Sequence, residues 1–204
     1  MQINININST DHVSRTALFH GISISQTEVV EVLLANPHLE LNVPDIHNRT
    51  TLYWACGAGL SNMVRLLLAE KRTDCNSIAT DLAPLEVAAL NGRAETVPVL
   101  LELNDIDVNK RWPLYSAVNS KAEEVVKLLL DDERIDANGG PKGDTPLGLA
   151  NRGRCVPIIQ LLLGMRDVLV NITTGNGKIP LRVFGGLGRN LGGTILFRLA
   201  YILF

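Results

Sequence analysis

The sequence predicts an all-α solenoid of stacked helix–turn–helix units, and three periodic markers predict it together. Asn8, Asn42, Asn76, Asn109, Asn138 and Asn171 recur at intervals of 33 or 34 residues, with one short step of 29. Leu18, Leu52, Leu85, Leu114, Leu147 and Leu181 follow the same rhythm. Leucine pairs ending at Leu34, Leu68, Leu101, Leu130 and Leu163 each close 16 residues after the leading leucine. A period of about 33 residues marks a repeat whose units cannot bury their apolar faces alone and stack to do so. Composition agrees: 46% of the 204 residues are hydrophobic but only 4% are aromatic. The core must therefore be built from Leu, Val, Ile and Ala, which suits many small helix–helix interfaces.

Each unit reads as helix, tight turn, helix, loop. In the second unit, Leu52, Ala55 and Cys56 share one helical face. Gly57 and Gly59 weaken that helix, and Gly59 is placed to end it in the left-handed conformation. Met63, Val64, Leu67 and Leu68 then form a second apolar face, and a polar stretch closes the unit at Asn76. The second helices of the other units read VVEVLL, VPVLL, VVKLLL and IIQLLL. Val30, Val64, Val97, Val126 and Ile159 hold one equivalent position. Ala55, Ala88, Ala117 and Ala150 recur on the first helices, where a small side chain lets the paired helices approach closely. Helices this short are marginal in isolation, so neighbouring units supply the burial that stabilises them.

These residues carry a family resemblance. TPLGLA (Thr145 to Ala150) resembles the ankyrin opening T-P-L-H-x-A, with Gly148 in place of the histidine. TALFHG (Thr16 to Gly21), TTLYWA (Thr50 to Ala55), APLEVA (Ala83 to Ala88) and WPLYSA (Trp112 to Ala117) are weaker copies. VVKLLL (Val125 to Leu130), followed by Asp136-Ala137-Asn138, resembles the ankyrin second helix and its closing D-x-N. The resemblance implies a curved array, with first helices lining a concave face, second helices forming the back, and short β-hairpin-like fingers between repeats. Residues 16–181 are read as one solenoid of five ankyrin-like repeats. Residues 1–15, where Ile and Asn alternate over 1–8, are read as an incoming finger or extended cap. Residues 182–204 are read as a degenerate sixth repeat, a cap or a truncated tail.

Two departures from regularity stand out. From Asn109 to Leu114 there are 5 residues, where other repeats have 9 or 10. Lys110, Arg111 and Trp112 thus replace a full finger, predicting a local notch. Pro98 falls inside the expected second helix of repeat three, which must start late or kink. Pro157 sits near a helix start, where proline is tolerated.

Chemistry finds little support. A net charge of -2 argues against general nucleic-acid or anionic-membrane affinity. Lys110, Arg111, Arg134, Lys142, Arg152 and Arg154 are offset by nearby acids and form no aromatic-interleaved stripe. Ile195 to Phe204 is far shorter than the roughly 20 residues needed to span a bilayer. Cys56, Cys75 and Cys155 are too few for a disulfide framework, and MQINININST lacks the features of a signal peptide. These features place the chain inside the cell, most naturally in the cytoplasm. His12, His20, His38 and His47 lack metal-ligand spacing, and no cofactor is implied. Gly21 to Ser25 comes near G-x-S-x-G without its last glycine, and Gly188 to Thr194 resembles a phosphate loop without its lysine.

The expectation is therefore a non-catalytic scaffold that binds a protein partner. Positions two and six after the leading leucine share a first-helix face: Trp54 and Ala58, Val87 and Asn91, Ser116 and Ser120. The fingers add Lys110, Arg111, Trp112, Lys142 and Asp144, with His47 and Thr80 at other tips. Trp54 and Trp112 lead this set because tryptophan is enriched in binding hot spots; packing roles compete, Trp54 between first helices and Trp112 in the space the short finger leaves. Two other readings stand beside it: a regulatory or targeting segment of a larger multidomain protein, and an enzyme using Ser23 or the glycine-rich tail.

Overall fold

The computed structural model describes residues 6–165 and 167–169. Among them, ten α-helices form five helix–turn–helix pairs. The first helices are α1 (Ala17–Ser23), α3 (Thr51–Ala58), α5 (Pro84–Leu90), α7 (Pro113–Asn119) and α9 (Pro146–Arg152). The second helices are α2 (Thr27–Leu34), α4 (Ser61–Ala69), α6 (Thr96–Leu101), α8 (Glu123–Leu130) and α10 (Val156–Gly164). Each first helix packs on the next first helix, and each second helix on the next second helix. The result is two ranks of helices enclosing one continuous core, in which Leu18, Leu52, Leu85, Leu114 and Leu147 are all buried.

Start signals are local. The hydroxyls of Thr16, Thr50 and Thr145 accept from the backbone N–H of Phe19, Tyr53 and Gly148 at 3.3, 3.2 and 3.0 Å. These bonds satisfy N–H groups that have no partner within the helix. Pro84, Pro113 and Pro146 open the other starts or join the cap, where a missing N–H costs nothing. Stop signals repeat too. The residue seven after the leading leucine is left-handed in every pair: Ser25, Gly59, Gly92, Lys121 and Arg154. The next N–H then reaches back to the carbonyl of Gly21, Ala55, Ala88, Ala117 or Ala150 at 2.9 or 3.0 Å, closing a Schellman turn. Those small residues are buried, as the close approach of the paired helices requires.

Pro98 resolves as a late start. The other four second helices begin seven residues before the last leucine of their pair; α6 begins two residues later, at Thr96. Pro98 is thereby the third residue of α6, where its missing N–H breaks no helical bond. Pro157 lies in the first turn of α10.

The asparagines tie the repeats together. Asn42 Nδ2 donates to the Arg72 carbonyl at 2.8 Å, while its Oδ1 accepts from the Asp74 N–H at 2.9 Å. Asn76 does the same to Asp105 and Asp107, Asn109 to Arg134 and Asp136, and Asn138 to Asp167 and Leu169. Asn8 begins the ladder on His38 and Glu40. Arg134 adds a further tie, donating to the carbonyls of Leu101 and Leu103 at 2.6 and 2.9 Å.

The fingers are turns rather than strands. Isolated antiparallel bridges occur at Thr10–Thr16 and Ala79–Leu82, with no strand among the described residues. Within the strand-like segment expected over 1–8, residues 6–8 form a turn instead, because the Asn6 side chain accepts from the Asn8 N–H at 3.0 Å. Residues 1–5 and the tail 182–204, with the sixth-repeat expectation attached to it, lie outside the described residues.

Candidate functional site

The first helices and fingers line an open hollow of about 530 Å³ between repeats two and three. Trp54 and Ala58 from α3, Val87 from α5 and Asn91 at its C-terminal cap line it, so four of the expected contact residues converge. His47, Arg49 and Thr80 from the fingers and Tyr53 and Gly57 from α3 complete the wall. Trp54 does two jobs. Its ring packs against Phe19 of α1 with centroids 5.1 Å apart, and it remains half-buried toward the hollow. Val87 is 5% exposed, so it serves as the apolar floor rather than a projecting contact.

Hydrogen bonds hold this wall in place. Asn91 Nδ2 and Arg93 Nε both donate to the Gly57 carbonyl at 2.9 Å. Tyr53 and Thr80 share a hydroxyl bond of 3.0 Å, linking α3 to the next finger. Asp45 accepts from the N–H groups of His47 and Arg49 at 2.9 Å, and the Arg49 guanidinium grips it at 2.7 and 2.9 Å. Burial raises the Asp45 pKa, but these bonds outweigh it and hold the carboxyl below its usual range.

The remaining expected residues lie farther along the array. Between Asn109 and α7 the chain makes only a tight turn, with the Trp112 N–H on the Asn109 carbonyl at 3.1 Å. Arg111 and Trp112 are both left-handed, at φ 62° and 64°. Arg111 Nε donates to the Asp81 carbonyl at 2.6 Å, fastening the short finger to its neighbour. Trp112 is 37% exposed, yet a Cβ on Gly139 would lie 3.2 Å from its ring, so it also covers the next loop. Lys110 is half-buried, and Lys142 and Ser120 are exposed. The Ser120 hydroxyl donates back to the carbonyls of Ser116 and Ala117.

Two residues sit differently from the surface role expected. Ser116 is 8% exposed, and its hydroxyl donates to Glu86 Oε1 at 3.0 Å. Asp144 is engaged inward by the Tyr115 hydroxyl at 2.9 Å and by the Arg152 guanidinium. Burial raises its pKa, but the bonds from Arg152 and Tyr115 win and keep it below the usual carboxylate range. Both were placed on the surface by register, which gives the direction of a Cα–Cβ bond but not what the next repeat lays over it.

Glu86 is the residue that register reasoning missed. It is 5% exposed, Oε2 has no hydrogen-bond partner, and burial pushes its carboxyl up to about 7. Its signal was present one residue after the leading leucine, where the other repeats carry Phe19, Tyr53, Tyr115 and Gly148.

Ser23, the serine of the near G-x-S-x-G match, ends α1 and donates its hydroxyl to the His20 carbonyl at 2.8 Å. Residues 188–194 lie outside the described residues. No helix among the described residues is long and apolar enough to cross a membrane.

Comparison with known proteins accords with this architecture. A family model of ankyrin repeats, in three copies, matches residues 1–79 and 85–174. The chain belongs to the ankyrin repeat family. Over 97 residues it is 33% identical to ankyrin repeat and KH domain-containing protein mask-1 of Caenorhabditis elegans, covering 44% of this chain and 4% of that protein. Over 117 residues it is 26% identical to human transient receptor potential cation channel subfamily A member 1, covering 52% and 10%. Inversin of Danio rerio is 33% identical over 93 residues, covering 42% and 9%. The chain thus matches a tenth or less of the length of these relatives. The human ASB11 ankyrin repeat domain superposes with a TM-score of 0.77 at 24% identity, over 96% of this chain and 88% of that one. The ankyrin repeat domain of Bcl-3 superposes at 0.80 with 23% identity, over 87% and 81%. At those identities the likeness is one of fold.

Proposed function

We propose that this chain is a non-catalytic recognition module that binds a protein partner along the groove between its first helices and fingers. The observation that carries this reading is the hollow at Trp54. Residues 33 apart in sequence, including Trp54 and Val87, meet there around an amphipathic ring backed by Phe19. A rigid aromatic anchor in a partly apolar recess is the arrangement on which hot spots form. The hydrogen-bonded wall keeps that surface ordered before binding, which lowers the entropy cost of association. Lys110, Arg111, Trp112 and Lys142 extend the surface along the fingers and Ser120 at the end of α7, while Ser116 and Asp144 support it from beneath.

The test is affinity capture followed by direct binding of the purified captured protein. Trp54→Ala, with circular dichroism unchanged, is expected to weaken binding by roughly 30-fold, as for a hot spot of about 2 kcal/mol. Unchanged affinity would remove the Trp54 hollow from the interface. A second reading, in which these repeats regulate or target a larger multidomain protein, is favoured by the length of the relatives. The size of the endogenous polypeptide on an immunoblot decides that reading.

A further inference from the structure

One repeat beyond the Trp54 hollow, the groove changes chemistry. Tyr53 and Tyr115 stand one residue after their leading leucines, and each reaches the following finger with its hydroxyl, at Thr80 and Asp144. The finger following α5 is the shortened one, and at the matching position stands Glu86 rather than tyrosine. Glu86 turns toward α7 and takes one side-chain bond, from the Ser116 hydroxyl to Oε1 at 3.0 Å, while the Ala83 N–H also acts on the carboxylate. Oε2 is left buried without a donor. Arg111 is the cation whose field acts on Glu86. It is engaged elsewhere, with Nε on the Asp81 carbonyl at 2.6 Å and its guanidinium 3.5 Å from an Asp81 carboxylate that is 92% exposed. A buried carboxylate oxygen without a donor is costly, and a cationic donor is the group that best compensates it.

We propose that Glu86 anchors an arginine or lysine side chain of the protein segment that occupies the groove. This rests on the groove being the partner-binding surface. The unpaired carboxylate oxygen supplies the charge complementarity. Arg111 is held by Asp81 and lies over the Trp112 ring, 6.0 Å from its centroid, so it leaves Oε2 to an incoming cation. Neighbouring helices pack about 10 Å apart, and an extended segment covers that distance in about three residues. The bound segment therefore carries an apolar or aromatic residue for the Trp54 hollow and a basic residue about three positions from it.

The experiment is selection of displayed random peptides on the full chain, in parallel on the wild type and on Glu86→Gln, with Ser116→Ala as a second variant. Wild-type selections are expected to enrich arginine or lysine at one fixed spacing from an apolar residue. A synthetic peptide of that sequence should lose roughly tenfold in affinity on Glu86→Gln. It should bind the wild type more tightly as pH rises from 6 to 8, because the carboxylate becomes fully charged. Ser116→Ala, which removes the hydroxyl donor to Oε1, should keep the basic preference. Peptides that depend on Trp54 but carry no basic residue, or that bind Glu86→Gln equally well, overturn this inference and leave the groove reading standing. Failure to enrich any peptide that depends on Trp54 overturns both.

Discussion

Four repeats place Phe19, Tyr53, Tyr115 or Gly148 after the leading leucine, and the third places a carboxylate there. The consequence for stability follows from proton linkage. Burial lifts Glu86 from an ordinary value of 4.5 to about 7 in the folded chain. Between those values the folded state binds a proton that the unfolded state has released. Stability therefore falls as pH rises from about 5 to about 8, and the full penalty applies above 7. A shift of this size corresponds to about 3 kcal/mol. Urea unfolding at pH 5 and pH 8 should show this decline in the wild type and lose most of it in Glu86→Gln. Asp45, Asp132 and Asp144 work in the opposite direction, since their pKa values are lowered. Their contributions disappear only in acid, below the range in which Glu86 titrates. Equal pH slopes in the two proteins would mean that Glu86 is solvated in the folded state.

At the scale of the element, the turn between paired helices is a repeated backbone shape filled by unequal residues. Gly59 and Gly92 meet the left-handed position with φ 80° and 65°, but Lys121 and Arg154 occupy it at φ 58° and 50°. A side chain there costs about 1–2 kcal/mol of local strain, partly offset by the greater freedom glycine has when unfolded. Lys121→Gly and Arg154→Gly should each stabilise the chain by about 0.5–1 kcal/mol in thermal or urea unfolding. Gly59→Ala should destabilise it, because the added Cβ would also lie 2.8 Å from Arg93 Cδ. Destabilisation by Lys121→Gly would show that the lysine stem packs productively there. Much of this was legible in the sequence. The leucine register fixed the helices, Gly59 marked a stop, and Pro98 required a late start or a kink in α6, of which the late start forms. The short step announced the tight turn at residues 109–112. What could not be read was where side chains meet across repeats. A period aligns equivalent positions but does not say that Ser116 lies under α5 or that Asp144 is taken by Arg152. Four groove residues were found because a shared helical face is a local property; the burial of Ser116 and Glu86 is a property of the interface.

Across the whole molecule, cohesion depends on contacts between neighbours alone, so it can be weakened at one junction while every repeat keeps its own helices. The asparagine ladder offers the means. Asn109 belongs to the loop after repeat three and makes two bonds to the loop after repeat four, at 2.8 Å to the Arg134 carbonyl and 2.7 Å from the Asp136 N–H. Both persist across the shortened step, so the ladder holds its spacing where the finger does not. Asn109→Ala removes both bonds at an exposed site and should cost about 1–2 kcal/mol. The more telling effect is on cooperativity, because the junction between repeats three and four loses part of its coupling. The two tryptophans are placed to report it: Trp54 lies in repeat two, and Trp112 begins repeat four. Trp54→Phe and Trp112→Phe backgrounds leave one reporter each, and urea transitions followed by fluorescence should coincide when Asn109 is present. With Asn109→Ala the midpoints should separate, and each transition should show a smaller m-value, because less surface is exposed in each step. Coincident midpoints with an undiminished m-value would mean that the apolar contacts of α5 with α7 and α6 with α8 couple these repeats without help from the ladder.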